Sequence, residues 1–422
     1  MKIVIQGLWH LGCVTAACCA RHFDVVGLDF DPGRIASLAN GKAPLLEPGL
    51  DALIAAGIAS GQLAFTGDPE SACTGADVLW VTYDTPVNEQ DESDIEAVLA
   101  PLRRSLPHLK PGAVVLVSAQ LPVGTCRSLE SEFPGLHVAA SPENLRLGKA
   151  IDSFEKAERV IVGTRDETPR PILSALFAPF TSRVIFMRTE SAEMVKHGIN
   201  SFLALSITFI NEIARLCEHV GADAMEVSIG LKSEPRIGPK AYLGPGGPFA
   251  GGTLARDVVT LSRLGASRGE ALSVLPSIKA SNDLHRGWSL RRLQSRFGDL
   301  RGRTIALLGL VYTPGTDTLR RSAALELARA LTAAGARVQA HDPALTSLPA
   351  GLEGIVLATD STEAVRGADA AVVCTEWPDF RTHDWAAATG VMRHRVFVDA
   401  NRFLEKQLLP LAGIEFLSVG RA

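Results

Sequence analysis

Short apolar runs alternate with longer stretches rich in Ala and Leu over roughly the first 190 residues. The runs at 3–5, 25–28 and 78–82 contain many β-branched residues, and similar runs follow at 114–118 and 160–162. Strands that alternate with helices in this way are typical of βαβ units on a parallel sheet. The pattern therefore predicts one doubly wound α/β domain over residues 1–190.

The pattern changes after residue 190. Apolar residues then recur every three or four positions as far as about residue 225, which predicts one long helix able to bridge two domains. A stretch rich in Gly and Pro follows at 235–252, and glycine lets the backbone approach a ligand closely. A second helical block is expected over about 255–297.

A further buried-strand pattern begins at 304–310, and a helix is predicted near 322–334. Strands are predicted at 337–340, 371–374 and 396–398, which completes a second α/β domain. The expected fold class is therefore α/β, with two Rossmann-like doubly wound domains joined by a long central helix and a helical region. The expected domains are residues 1–190, 191–300 and 301–422.

The composition is that of a soluble globular protein, with 46% hydrophobic and 21% charged residues. A net charge of -4 gives no overall attraction to nucleic acid or to an anionic membrane surface. The seven cysteines have no short regular spacing, so we expect reduced thiols and neither a disulfide framework nor a bound metal. The chain opens on a strand, and no apolar run reaches the roughly 18 residues of a membrane span. A cytoplasmic protein is expected.

A turn between the first strand and the first helix carries Gly7 and Gly12, where the amide groups of a helix N-terminus can face a pyrophosphate. Asp29 lies 22 positions after Gly7, where a carboxylate can bind the ribose 2′-hydroxyl of NAD and repel the 2′-phosphate of NADP. Trp9 replaces the central glycine of the G-x-G-x-x-G pattern. The alternative is that two glycines only punctuate a turn and Asp29 caps a strand. His10 has no evident partner and is expected to be incidental.

Eight separated stretches carry further information, and they occur in a fixed order along the chain. They are EPGL (47–50), LPVGT (121–125), SPENL (141–145), AEMVKH (192–197), FINEI (209–213), RIG (236–238), LGL (308–310) with TD (316–317), and TEWP (375–378). Together they resemble the UDP-glucose/GDP-mannose dehydrogenase family from end to end.

This resemblance implies an N-terminal NAD domain, a central helical region that forms a homodimer contact, and a C-terminal domain that binds the nucleotide of a sugar nucleotide. Members of the family oxidise a sugar C6 alcohol twice, through an aldehyde, a cysteine thiohemiacetal and a thioester, and each hydride goes to a separate NAD. The matching cofactor positions are Gly7, Gly12, Asp29, Arg34, Thr85 and Arg320. The matching substrate positions are Arg236, Tyr242, Gly246, Gly251 and Tyr312.

The resemblance also implies catalytic roles. Lys196 and Asn200 match a lysine and an asparagine aimed at the reacting carbon, and their spacing of four places them on one helix face. Such groups can stabilise an alkoxide, and Asp257 with Lys196 can position water or accept the alcohol proton. Glu143 matches a glutamate associated with thioester hydrolysis. Without the resemblance, Lys196 and Asn200 would be read as a solvated face and Asp257 as a structural ion pair.

Thr253 occupies the position of the family's nucleophilic cysteine, and Arg256 the position of a lysine. A threonine hydroxyl is far less acidic than a thiol, so the covalent second oxidation is not expected. Gln120 replaces a threonine that helps hold a catalytic water, and Leu147 replaces a second glutamate. We therefore expect NAD-dependent oxidation of a nucleotide sugar without a thioester. The alternatives are a redox-neutral epimerase with transient NAD oxidation and a non-catalytic nucleotide-sugar-binding protein.

Overall fold

The computed structural model describes residues 1–88, 91–143, 145, 148–250, 252–319, 322–352 and 354–421. The chain divides into two compact units, 1–199 and 200–422, and the boundary falls inside the long helix that was predicted after residue 190. The expected division into three domains stays a prediction. Among the residues that the structure describes, no helix is long and apolar enough to cross a membrane.

The first unit alternates strands and helices. Its strands are β1 (Lys2–Gln6), β2 (Asp24–Leu28), β3 (Leu63–Thr66), β4 (Val78–Val81), β5 (Val114–Val117), β6 (His137–Ala140), β7 (Val160–Gly163) and β8 (Val184–Met187). Its helices are α1 (His10–Cys19), α2 (Pro32–Ala39), α3 (Leu50–Ala59), α4 (Pro69–Cys73), α5 (Glu96–Ser105), α6 (Thr125–Glu132), α7 (Ala150–Glu155) and α8 (Arg170–Phe177), with a 3₁₀ turn at Leu106–His108 and the start of α9 (Thr189–Val220).

The second unit contains the rest of α9, a group of helices and a second sheet. The helices are α10 (Ala224–Ser233), α11 (Thr253–Ser267), α12 (Val274–Arg286), α13 (Trp288–Phe297), α14 (Ala323–Ala333), α15 (Ser361–Val365), α16 (Pro378–Thr382), α17 (Trp385–Ala388) and α18 (Glu405–Leu408), with a 3₁₀ turn at Thr389–Val391. The strands are β9 (Thr304–Leu308), β10 (Arg337–His341), β11 (Ile355–Leu357), β12 (Ala370–Val373), β13 (Val396–Asp399) and β14 (Glu415–Leu417).

The second sheet repeats the strand order of the first six strands of the first sheet. The first sheet has the order β3-β2-β1-β4-β5-β6-β7-β8, and the second has the order β11-β10-β9-β12-β13-β14. All pairs are parallel except β6 with β7, so the first six strands of each sheet form a Rossmann-type doubly wound sheet. In such sheets ligands bind at the carboxyl ends of the two central strands, where the chain reverses its winding direction. The expected fold class is confirmed.

The central strands read as continuous apolar runs because helices cover both faces of each sheet. Ile3 and Ile5 of β1 pack into one core, whereas Val4 packs into the core on the opposite face. Ile305 and Ala306 of β9 divide in the same way between two cores of the second unit. Alternation along each strand therefore supplies two hydrophobic layers per sheet.

Several elements differ from the sequence prediction. The strands β3, β6, β8, β11 and β14, with three or four residues each, were not predicted from the sequence, and the structure defines them by their pairing with neighbouring strands. The helix predicted as far as residue 225 ends at Val220, because Gly221 adopts a φ of 75° that favours glycine and stops the helix. The block predicted over 255–297 is three helices, interrupted near Gly269 and Gly287.

Candidate active site

The turn between β1 and α1 requires both of its glycines. Gly7 has a φ of 98°, and its amide donates to the carbonyl of Leu28 at 3.0 Å. A Cβ atom on Gly7 would lie 2.8 Å from the ring of Tyr83, and one on Gly12 would lie 2.0 Å from the carbonyl oxygen of Gly7. The N-terminus of α1 therefore packs close against the turn, which is the arrangement that a dinucleotide pyrophosphate needs.

Trp9 replaces a glycine without backbone strain, because its φ is -91°, a value that any L-residue adopts. The Arg34 guanidinium carbon lies 5.2 Å from the centroid of the indole ring, within cation–π range. The indole is 37% exposed. Trp9 therefore adds an indole ring beside α1 and does not strain the backbone of the turn.

Asp29 is buried at the end of β2 and ties the turn to that strand. Its carboxylate accepts hydrogen bonds from the backbone N–H of Leu8 at 2.7 Å and of Asp31 at 3.0 Å. The Arg34 guanidinium donates to the same carboxylate at 2.8 Å. Arg34 is therefore already paired with a negative charge, which reduces its attraction for the 2′-phosphate of NADP. The role of Asp29 toward a ribose hydroxyl stays a prediction.

His10 has a partner, contrary to the expectation from the sequence. Its Nε2 lies 2.8 Å from Glu47, whose carboxylate also accepts the N–H groups of Gly148 and Ala150 at 2.7 and 2.9 Å. Burial would raise the pKa of Glu47, but these hydrogen bonds outweigh it and hold the pKa below its usual value. Glu47 thus links the first residue of α1 to the start of α7.

A polar chain follows β5 in the first unit. The Thr85 hydroxyl donates to the main-chain carbonyl of Gln120 at 2.9 Å, and the Gln120 amide nitrogen lies 3.1 Å from Nδ1 of His197. Nε2 of His197 lies 3.1 Å from the main-chain carbonyl of Leu121, so Nε2 carries a proton and donates to this carbonyl. The Gln120 side-chain amide therefore packs against the histidine that follows Lys196.

The structure brings Lys196 and Glu143 together. The Lys196 ammonium donates to the main-chain carbonyl of Glu143 at 2.6 Å. Two of the quoted motifs also meet here, because the Glu193 carboxylate accepts from the N–H groups of Gly124 and Cys126 at 2.6 and 2.9 Å. Glu193 thereby satisfies the first amides of α6, and the same contact fixes the start of α9 that carries Lys196.

A second polar cluster lies in the second unit. The Asn200 side-chain amide donates to the carboxylate of Asp257, and the Arg256 guanidinium lies 3.8 Å from the other carboxylate oxygen. All three side chains are buried. A solvated face is therefore wrong for Asn200, and the buried carboxylate of Asp257 is stabilised by an amide and a neighbouring cation.

Thr253 is the first residue of α11, follows Gly252 with its φ of 101°, and is exposed. All seven cysteines lie outside the glycine-rich loop and outside α11. Burial raises the pKa of the Cys13, Cys18 and Cys374 thiols to about 12 and that of Cys73 to about 11, and it also raises the pKa of the Cys19 and Cys126 thiols. Cys217 is buried in the core around α9 and α13. These thiols are structural.

The predicted substrate residues are placed unevenly. Gly246 is enclosed, because a Cβ there would lie 2.2 Å from the side-chain oxygen of Asn401. Arg236 lies at the surface and pairs with Glu234 at 2.8 Å, and Tyr242 and Tyr312 are exposed. The predicted site residues Gly251 and Arg320, together with Leu147, lie outside the described residues. The roles of this set therefore stay predictions.

Asn401 and Arg402, which follow β13, bind different partners. Arg402 adopts a φ of 57°, which a residue with a Cβ rarely takes, and its guanidinium pairs with both carboxylate oxygens of Asp223 at 3.0 and 2.8 Å. Asn401 instead accepts the N–H of Gly247 at 2.7 Å and donates to Glu376 at 2.7 Å. The side chain that reaches the glycine-rich loop is thus an amide.

Comparison with known proteins gives matches along the chain. Residues 1–181, 190–284 and 306–406 match the NAD-binding, central and UDP-binding domain models of the UDP-glucose/GDP-mannose dehydrogenase family. The chain is 34% identical over 437 residues to UDP-glucose 6-dehydrogenase of Rhizobium meliloti, with 100% of both chains covered. It is 32% identical to UDP-glucose 6-dehydrogenase TuaD of Bacillus subtilis, covering 100% of this chain and 93% of that one.

The fold is also similar to solved structures. A UDP-glucose dehydrogenase from Pyrobaculum islandicum superposes with a TM-score of 0.87 at 29% identity, covering 100% of this chain and 98% of that one. A UDP-D-ManNAc dehydrogenase from Pyrococcus horikoshii gives a TM-score of 0.84 at 25% identity, covering 100% and 99%. The strand order of both sheets is therefore that of an established group of dehydrogenases.

We expect Asp29→Ala to weaken NAD binding about 10- to 100-fold, since a hydrogen bond to a charged group contributes about 1.5–3 kcal/mol. The advantage of NAD over NADP should narrow, because the change also frees Arg34 from its carboxylate. Titration of both cofactors by fluorescence measures the ratio. Asp24→Ala, at the opposite end of β2, is the control and should leave both affinities unchanged. Equal affinity for NAD and NADP in the unaltered protein would contradict the assignment.

Proposed function

The chain belongs to the UDP-glucose/GDP-mannose dehydrogenase family, and from this membership we propose that it oxidises a CH–OH group of a UDP-linked sugar with NAD without forming a thioester. NAD-dependent oxidation of a nucleotide sugar is the activity of the family. The finer proposal is supported by Thr253, which begins α11 and which the sequence resemblance aligns with the family's nucleophile. A hydroxyl there does not capture an aldehyde as a thiol does.

NAD fits the first unit and supplies a hydride acceptor when bound. The glycine turn leaves no room for a Cβ at Gly7 or Gly12, the N-terminus of α1 offers backbone N–H groups, and Asp29 ends β2. These three features hold a pyrophosphate and a ribose in Rossmann domains. The chain's own contribution to the chemistry then lies in the residues that handle the proton and the oxygen of the substrate.

The first oxidation needs a group that stabilises negative charge on the substrate oxygen and a group that takes its proton. We assign the first role to Lys196, whose ammonium is held by the Glu143 carbonyl, and to the Asn200 amide. Asp257, buried beside Asn200 and Arg256, takes the proton in this proposal. The hydride and the proton leave together, so the sugar loses two electrons and becomes a carbonyl compound or its hydrate.

The second oxidation is where the chain departs from its family. Acyl transfer needs a nucleophile that forms a labile bond and a placed water that cleaves it. Thr253 lacks the acidity of a thiol, and the Gln120 amide is engaged with His197. Burial raises the thiol pKa values of Cys13, Cys126 and Cys374, and these thiols do not replace the nucleophile. These features support oxidation that stops at the carbonyl level, with the carbonyl compound or its hydrate as the product.

We also propose a homodimer formed through α9. Phe202, Phe209 and Leu216 are seven residues apart, so they lie on one helix face, and they are 67%, 46% and 62% exposed. Ile229 of α10 is another exposed apolar side chain, at 67%. Large apolar side chains that repeat on one face of a long helix are typical of protein interfaces. A second copy of the chain, presenting the same face, would cover them.

The function is tested by incubating the purified protein with NAD and a panel of UDP- and GDP-linked sugars. We expect NADH together with a product two mass units lighter than the substrate.

Lys196→Ala should lower turnover by about two to four orders of magnitude, the range for lost acid–base and electrostatic catalysis, with little change in NAD affinity. An isomer without NADH would indicate an epimerase, and binding without any product would indicate a binding protein. A fully active Lys196→Ala enzyme would contradict the assigned role.

Phe209→Asp should convert the dimer to a monomer at micromolar concentration, because a carboxylate at the centre of an apolar interface would be buried without a partner. Light scattering coupled to size-exclusion chromatography measures the mass. Leu46→Asp, which changes an 87% exposed leucine of the first unit, is the control and should leave the mass unchanged. A monomeric unaltered protein at the same concentration would contradict the dimer.

A further inference from the structure

In the described part of the chain, four polar side chains bond to the backbone of Gly246, Gly247 and Phe249 in the glycine-rich loop that precedes Thr253. Asn211 of α9 accepts the N–H of Gly246 at 3.0 Å and donates to the carbonyl of Gly247 at 3.3 Å. Asn401, after β13, accepts the N–H of Gly247. The other two side chains, Asn282 and His285, come from α12. The sequence motifs did not mark either residue of α12.

Asn282 makes two hydrogen bonds to one loop residue. Its side-chain oxygen accepts the N–H of Phe249 at 3.0 Å, and its side-chain nitrogen donates to the carbonyl of Phe249 at 2.9 Å. Asn282 is 2% exposed, and its side-chain amide satisfies both the backbone N–H and the backbone carbonyl of Phe249, as a neighbouring strand would. Asn and Gln carry a donor and an acceptor on neighbouring atoms of one planar amide, so few substitutions would preserve both bonds.

His285 lies one turn after Asn282 on α12 and is 1% exposed. Its Nε2 lies 2.8 Å from the carbonyl of Gly246, and Arg215 donates to its Nδ1 at 3.2 Å. A ring that donates at Nε2 and accepts at Nδ1 is neutral. Burial lowers the pKa of His285 to about 4, and the charges of Arg215 and Arg291 add to the shift. The bond to the Gly246 carbonyl is therefore kept at neutral pH with the ring uncharged.

The side chain of Phe249 fixes the loop from the other direction. It packs in a small core with Ala255 and Val258 of α11 and Ile278 of α12. Asn282 and His285 follow Ile278 by four and seven positions, so all three lie on the buried face of α12. The face of α12 thus holds the loop at Gly246 and at Phe249, and α11 with Asp257 begins four residues after Phe249.

We propose that Asn282 and His285 are positioning residues for nucleotide-sugar oxidation, which hold the backbone of Gly246 and Phe249 so that the loop and α11 keep the geometry the reaction needs. The inference rests on the proposed function. The two residues act through the loop and need no contact with the substrate. A displacement of about 1 Å in such supporting structure lowers catalytic efficiency on the order of 100-fold.

The test compares Asn282→Ala and His285→Ala with His285→Gln, which keeps an N–H donor, and with Asp283→Asn, a surface control on the same helix. We expect kcat/KM for the UDP-sugar to fall about 10- to 100-fold in both alanine variants. NAD affinity should stay within about twofold in all four variants, because the first unit is unchanged. Hydrogen–deuterium exchange over residues 244–250 should accelerate in the alanine variants only, and His285→Gln should recover most of the activity.

The outcomes separate this inference from the proposed function. Unchanged kcat/KM per folded molecule in the alanine variants, with a lowered melting temperature, would show a purely structural role and overturn the proposal. Unchanged exchange over 244–250 would overturn it as well. If the unaltered protein forms no NADH, the proposed function fails by itself. The loop inference is then judged by calorimetry with UDP-glucose, whose affinity Asn282→Ala should lower at least about tenfold and Asp283→Asn should not.

Discussion

A buried carboxylate at the end of the second strand holds the glycine turn of each sheet. Asp29 accepts the N–H of Leu8 at 2.7 Å in the first unit, and Asp342 accepts the N–H groups of Leu310 and Val311 at 2.6 and 2.9 Å in the second. A buried negative charge needs such donors, and the turn amides need an acceptor, so each fixes the other. This contact positions the helix that follows the turn and the carboxyl ends of the central strands.

The same arrangement serves different purposes in the two units. In the first unit, Arg34 completes the shell around Asp29 and α1 starts directly after the turn, which leaves its N-terminal amides for a cofactor. In the second unit, the Trp377 indole donates to Asp342 at 3.3 Å and α14 begins only at Ala323. One turn geometry therefore accompanies an NAD-binding domain model in the first unit and a UDP-binding domain model in the second.

Much of this architecture could be predicted from the sequence, since apolar runs such as 3–5 and 304–310 mark buried parallel strands and the motifs mark Lys196, Asn200 and Asp257. The bonding partners could not be predicted, because they come from distant parts of the chain: Glu47 for His10, Gln120 for His197, and Asn401 for Gly247. The sequence does contain a signal for Asn282 and His285, because both occupy positions where the periodicity of α12 calls for apolar residues. A polar residue at such a position is buried and needs a partner.

We propose that the departures from the family concern one half of its chemistry. In that proposal the residues assigned to hydride and proton transfer are kept, Thr253 takes the place of the thiol, and the Gln120 amide is engaged with His197. The central claim is that the chain oxidises its substrate without a covalent acyl-enzyme. The most direct measurement is the ratio of NADH to product with the unaltered protein, together with intact-protein mass during turnover. We expect about one NADH per sugar and no covalent adduct, because a threonine hydroxyl is a poor acyl acceptor. Steady formation of a sugar acid with two NADH per product, and no added aldehyde dehydrogenase, would contradict it.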